Sequence, residues 1–194
     1  MTALGVPASE KAQATRDALV RTAGQRFEAE GYGAVSVRDL ARENDVTTGA
    51  VYGHFRNKAH LLAAAIVDRI ATDLEGPSYG TIGLTDYLAR QARAYRSRAG
   101  LRALLVEGAH AAHVDDEARE TLGEVYEAKL AEWRAIYARV QADEGAFSDV
   151  DMGTLVTMLW AMELGLGVLE AADVELPKPG EWSATLRALL EGIE

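Results

Sequence analysis

The sequence predicts an all-α protein: a small N-terminal three-helix domain followed by a larger helical bundle, about nine helices in all. Two observations carry this. Apolar residues recur at three- and four-residue spacing almost everywhere, and no stretch alternates with the two-residue period of a strand. Helix-start residues and glycine or proline stops also fall where each periodic run begins and ends.

The elements follow in order. Leu19, Ala23 and Phe27 mark one face of a first helix over about 15–30, stopped by Gly31. Ser36, with Asp39 three residues on, has the pattern of a capping box for a short second helix carrying Leu40 and Ala41. A turn at Glu43–Asp45 leads to Thr47, a good N-cap for a third short helix reaching about Gly53. Asn57 caps a fourth, with Leu61, Leu62, Ala65, Ile66 and Ile70 at helical spacing. Gly76–Gly80 breaks it, and further helices read at about 84–98, 101–112, 116–142, 149–171 and 180–192.

Composition narrows the possibilities. The chain has 194 residues, 48% of them hydrophobic and 26% charged, enough to bury a core. It has no cysteine, which excludes disulfides and thiolate chemistry and fits a reducing cytoplasm. Residues 1–14 lack a basic start and an apolar run, and are expected to be a flexible tail rather than a signal peptide. The apolar run Gly153–Met162 stops at Glu163 and is too short to span a bilayer, so no membrane partner is expected. No nucleophile elbow, phosphate loop or dinucleotide fingerprint occurs, and no cofactor is expected.

Charge is unevenly spread. The formal net charge is −10, yet residues 1–58 hold eight Lys/Arg against seven Asp/Glu. Between Val46 and Lys58 there is no acid at all, while Tyr52, His54, Arg56 and Lys58 all carry donors. Two short helices joined by a tight turn, with such a stretch on the second, match a helix-turn-helix. The small or polar start Thr47, Thr48, Gly49 and Ala50 would let a backbone approach base edges in the major groove. Tyr52, His54 and Lys58 are of the right type to hold phosphates, and the start of the fourth helix also favours one. Tyr52 can equally be read as core, and Arg56 and Lys58 as solvated charges.

Residues 15–62 resemble the N-terminal domain of the TetR family of bacterial transcriptional regulators. The matching features are Phe27 with Gly31-Tyr32, Ser36 to Ala41, Gly49 to Tyr52, His54-Phe55 and Asn57-Lys58 with Leu61-Leu62. The resemblance implies that Ser36 caps its helix and bonds a phosphate. It implies that Arg38 reaches a phosphate or a base, and that Thr48, Gly49 and Ala50 face bases. It further implies a homodimer on a double-stranded palindromic operator, a repressor's role, and release by a small-molecule effector. Three residues depart from the common pattern: Asp45 in place of a turn glycine, Thr48 where many relatives carry lysine, and Gly53 where many carry a bulky residue.

Residues 15–58 are therefore expected to form the DNA-binding domain and 59–194 a ligand-binding and dimerisation domain. In the latter, Tyr95, Tyr126, Trp133, Met158, Trp160 and Met162 are core residues, some of which would wall a cavity. Gln91, His110 and Glu163 would supply its polar groups. Residues 59–194 carry twelve Lys/Arg and twenty-three Asp/Glu, which favours an apolar, neutral or cationic effector. The surplus apolar residues of the last two helices form the expected dimer interface: Leu155, Leu159, Leu166 and Leu169, then Leu186, Leu189 and Leu190. The alternative is a small all-helical metal-dependent enzyme using His110, His113 and the nearby acids Asp115 and Asp116. Those acids read more simply as the cap of the helix that follows, and no metal site is expected.

Overall fold

The computed structural model describes residues 8–74, 84–145 and 147–191. Among them are nine α-helices, one 3-10 turn and no strand. The helices are α1 (Ala8–Glu30), α2 (Val37–Glu43), α3 (Thr48–His54), α4 (Lys58–Asp73), α5 (Leu84–Arg93), α6 (Ala99–Val114), α7 (Asp116–Glu144), α8 (Met152–Ala171) and α9 (Pro179–Glu191). The 3-10 turn is Tyr95–Arg98. By compactness the chain divides into two units. The first takes residues up to Asp68 and Glu107–Leu122, the second Arg69–Val106 and Gly123 onward. The division thus differs from the boundary expected after residue 58, and α4, α6 and α7 contribute to both units.

In the first unit α1, α2 and α3 pack on one another around Leu19, Phe27, Leu40, Val51 and Phe55, all essentially inaccessible to solvent. α1 begins at Ala8, within the stretch expected to be a tail. Residues 9–14 are exposed, so no apolar stripe marks them, but they are rich in Ala, Glu, Lys and Gln, which favour helix. Gly31 ends α1 at φ +82, a conformation that costs glycine nothing.

Ser36 accepts a hydrogen bond from the Asp39 amide at 3.1 Å, which caps α2, and donates to the Asp39 carboxylate at 2.5 Å. Asp45 takes the left-handed conformation at φ 52, and the Val46 amide bonds back to Ala41 O at 2.9 Å. This reverses the chain between α2 and α3 without the usual glycine. Thr47 and Asn57 cap α3 and α4, accepting from the amides of Ala50 (3.1 Å) and His60 (2.6 Å). Asp115 caps α7 through the amides of Glu117 and Ala118.

In the second unit α5 packs along α9. The helix expected over 84–98 is interrupted: α5 stops at Arg93, and the 3-10 turn re-aims the chain into α6. The turn is held where it is because the Tyr95 hydroxyl donates to Pro177 O and Arg98 is drawn to a buried carboxylate. α8 approaches α6 closely at Gly167, where a Cβ would stand 3.0 Å from both Arg102 O and Val106 Cγ2. The expected break at Gly76–Gly80 lies outside the described residues.

Candidate nucleic-acid interface and inner cavity

In the first unit α3 presents Thr48, Gly49, Tyr52 and Gly53 to solvent, with Ala50 and His54 half-buried. Nothing but the Thr47 hydroxyl, at 3.8 Å, lies near the place where a Cβ of Gly49 would stand. This end of the helix is therefore open to close approach by another backbone or a base edge. The capping bond of Thr47 consumes an acceptor and leaves its hydroxyl proton available. Tyr52 is 52% exposed, which settles against a core role. Arg38 is exposed on α2, beside the Asp39–Arg42 ion pair at 2.6 Å. Ser36 spends its proton on Asp39, whose carboxyl is held below the usual range first by that bond.

Lys58, expected to hold a phosphate, is engaged inward in this structure. Its ammonium turns inward to Tyr32 O (2.6 Å) and Val35 O (3.0 Å) and sits 4.1 Å from the centre of the Tyr32 ring. Lysine has a long stem, and the two carbonyls of the α1–α2 connection offer partners that solvent would otherwise have to supply. Burial lowers its pKa, a shift that Asp115 opposes. Tyr32 is pinned from the other side, its amide donating to Glu107 at 2.6 Å, and burial, followed by Asp115 and Glu117, pushes its hydroxyl up to about 12.

The second unit lines a small, partly open cavity of about 50 Å³, room for a few waters. Its walls are largely aromatic and aliphatic: Tyr87, Trp133, Tyr137, Trp160 and Trp182 with Leu88, Val156, Leu159, Met162 and Leu186. Trp133 and Trp160 meet edge to face, with centroids 5.5 Å apart. One pole is polar. Arg98 donates through Nε and Nη2 to Glu163 Oε1 and through Nη1 to the Gln91 carbonyl and side-chain oxygens. Behind it Arg102, wholly buried, reaches Glu163 Oε2 at 3.4 Å and binds Glu170 in fork geometry at 2.5 and 2.6 Å. Burial disfavours the Arg102 charge, but Glu170 and Glu163 outweigh it, and its pKa stands above the usual value. Two arginines and two glutamates therefore balance at this pole.

A family model described as bacterial regulatory proteins, tetR family, matches residues 19–65, which span the capped helices described above. Along nearly its whole length the chain is 26% identical to the HTH-type transcriptional regulator UidR of Escherichia coli K12, over 188 residues and 94% of each protein. Residues 19–65 thus carry the tetR-family N-terminal pattern, and the rest of the chain resembles tetR-family regulators. Among solved structures, Salmonella enterica GusR superposes with a TM-score of 0.69 at 27% identity, covering 99% of this chain and 98% of GusR. A TetR-family regulator from Rhodococcus sp. reaches 0.75 at 19% identity, covering 93% and 98%, a likeness of fold. The protein is thus a helix-turn-helix DNA-binding transcriptional regulator and not an enzyme.

Within this tetR-family fold the expected ligand residues separate. Gln91, Trp133, Trp160, Met162 and Glu163 line the cavity. Tyr95 is fully buried but spends its hydroxyl on Pro177. Tyr126 lies behind Trp160 at 5.3 Å; its hydroxyl lacks a partner, and burial raises its pKa. Met158 is 63% exposed. His110 is exposed on the part of α6 that belongs to the first unit, and no cluster of metal-ligating side chains occurs among the described residues.

The expected dimer residues divide too. Leu159 and Leu186 face the cavity and Leu166 is in the core, whereas Leu169 and Leu189 are exposed and Leu155 is half-buried. The Leu190 side chain lies outside the described residues. The sequence reading missed Arg98, Arg102 and Glu170. Part of their signal was present: Glu163 and Glu170 stand seven apart on one face of an otherwise apolar helix, whereas Arg98 falls in the 3-10 turn and Arg102 in the helix after it.

Proposed function

We propose that this regulator works in the cytoplasm as a homodimer, represses by binding a partly palindromic duplex operator, and leaves it when a small molecule occupies the inner cavity. The observation that carries the reading is the two-sidedness of α8. One face gives Val156, Leu159, Trp160 and Glu163 to the cavity. The other exposes Thr154, Thr157, Met158, Ala161, Gly165, Val168 and Leu169, a small and apolar stripe at helical spacing. α9 repeats the pattern, with Trp182 and Leu186 inward and Ala184, Ala188 and Leu189 outward. α8 is long and apolar enough by composition to cross a membrane, yet only 28% of its apolar window is buried. A second copy of the same face, related by a two-fold axis, would cover the exposed stripe.

Two symmetric heads would then read two half-sites. Thr48, Gly49 and Ala50 meet bases, while Thr47, Tyr52, His54 and Arg38 hold phosphates at the groove edges. Effector and operator are linked reciprocally, so whatever factor the effector takes from operator affinity, the operator takes from effector affinity.

The assembly is tested by sedimentation at micromolar concentration. The native chain should be a dimer without DNA, and Leu169→Glu with Leu189→Glu should give monomers that keep their helicity, by placing charge in an apolar interface. A native monomer would contradict the reading.

A further inference from the structure

We propose that the Arg98–Glu163 pair is a charge filter, and that the effector is an uncharged, ring-bearing molecule. This rests on the reading of the cavity as the effector site and adds the class of compound it accepts. Arg98 is 2% and Glu163 6% exposed, and both line the cavity. Each already holds the other: Nε and Nη2 of Arg98 both donate to Glu163 Oε1, and Nη1 is engaged by Gln91. The second carboxylate oxygen faces Arg102, which is itself neutralised by Glu170.

A carboxylate entering the cavity would have to take Arg98 from Glu163, and would leave that glutamate buried against Arg102 alone. A cation would have to take Glu163 from Arg98 and strand the guanidinium, which cannot discharge itself by losing a proton. Either exchange replaces one ion pair by another and leaves a buried charge without its partner. An uncharged ring makes no such demand on the pair, although the walls must part to admit it, since the cavity as it stands holds only a few waters. The ring meets the tryptophan and tyrosine walls and can add one hydrogen bond at the polar pole without breaking the pair. The acidity of the whole chain does not decide the matter, because the pole itself carries two positive and two negative groups.

The test uses the native full-length chain and three single-ring probes of one size: benzyl alcohol, benzoate and benzylammonium. Binding is followed through the indole N–H resonances of the three tryptophans, with calorimetry for affinity. Benzyl alcohol should bind at least about tenfold more tightly than either ion. A smaller preference, or one for either ion, would overturn the filter while leaving the cavity as the effector site. If none of the probes shifts any indole resonance, the cavity reading fails and the filter with it. The variant Glu163→Gln, confirmed folded at the working temperature by its helical circular dichroism, should uncover the Arg98 charge and move the benzoate-to-alcohol affinity ratio by about tenfold toward benzoate. An unmoved ratio in that folded variant would also overturn the proposal.

Discussion

Lys58 in the DNA-reading unit and Arg98 in the cavity-bearing unit are both cations withdrawn from water, yet they are held by different chemistry. Lys58 rests on two backbone carbonyls and the Tyr32 ring, all of them neutral partners. Arg98 and its neighbour Arg102 are matched by Glu163 and Glu170. A lysine can answer burial by a lowered pKa, as Lys58 does. An arginine cannot, so its charge has to be met by a carboxylate wherever it is buried. The first unit thus holds its buried cation by modest bonds to neutral groups, whereas the second holds its cations by paired charges.

The largest effect that would separate the two regimes is expected at Glu163. Glu163→Ala leaves Arg98 without its carboxylate and should cost about 3–5 kcal/mol. The double variant Arg98→Met with Glu163→Met should cost far less, because no charge is left stranded. Tryptophan fluorescence in a urea titration reads both, since all three tryptophans lie in the second unit. Equal losses in the single and double variants would dissolve the contrast. Next comes Gly167→Ala, where a methyl group would meet Arg102 O and Val106 at 3.0 Å. Overpacking there should cost about 1–3 kcal/mol in the same titration.

In the reading unit Thr47→Ala removes one cap bond and should cost about 1 kcal/mol, visible as a lower melting temperature, with a loss of DNA affinity as α3 frays. The smallest effect is in pH. The folded pKa of Lys58 is depressed below its ordinary 10.5, so just under that value the unfolded chain holds a proton the folded one has released. Stability should therefore rise with pH across that window, and Lys58→Met should flatten the rise in a series of denaturant titrations.

How much of this was legible follows the same division. Ser36, Thr47, Asn57 and Asp115 announce their helices because a cap is a contact over two or three residues, readable in any sequence. The left-handed Asp45 was readable as a departure that the turn could accept. The inward turn of Lys58 was not, because its acceptors are the carbonyls of residues 32 and 35, and a carbonyl leaves no mark in a sequence. The cavity was legible in kind, from its aromatic residues, but not in membership. Leu159 and Leu186 read like Leu169 and Leu189, and only the packing of α5 along α9 tells the inward leucines from the outward ones. The interruption before Tyr95 was hidden for the same reason, since Pro177 and Glu163, which hold it, lie far along the chain.

The central claim, that α3 and its flanks read DNA as a symmetric pair, is tested most directly by selecting bound duplexes from a random library at two salt concentrations. The native chain should enrich an inverted repeat whose half-sites lie about one helical turn apart, with affinity falling steeply as salt rises. Tyr52→Ala and Arg38→Ala should weaken binding to every enriched sequence, while exchanges at Thr48 or Ala50 should change which sequence is enriched. Enrichment of no sequence, or of a single unrepeated half-site with affinity indifferent to salt, would contradict it.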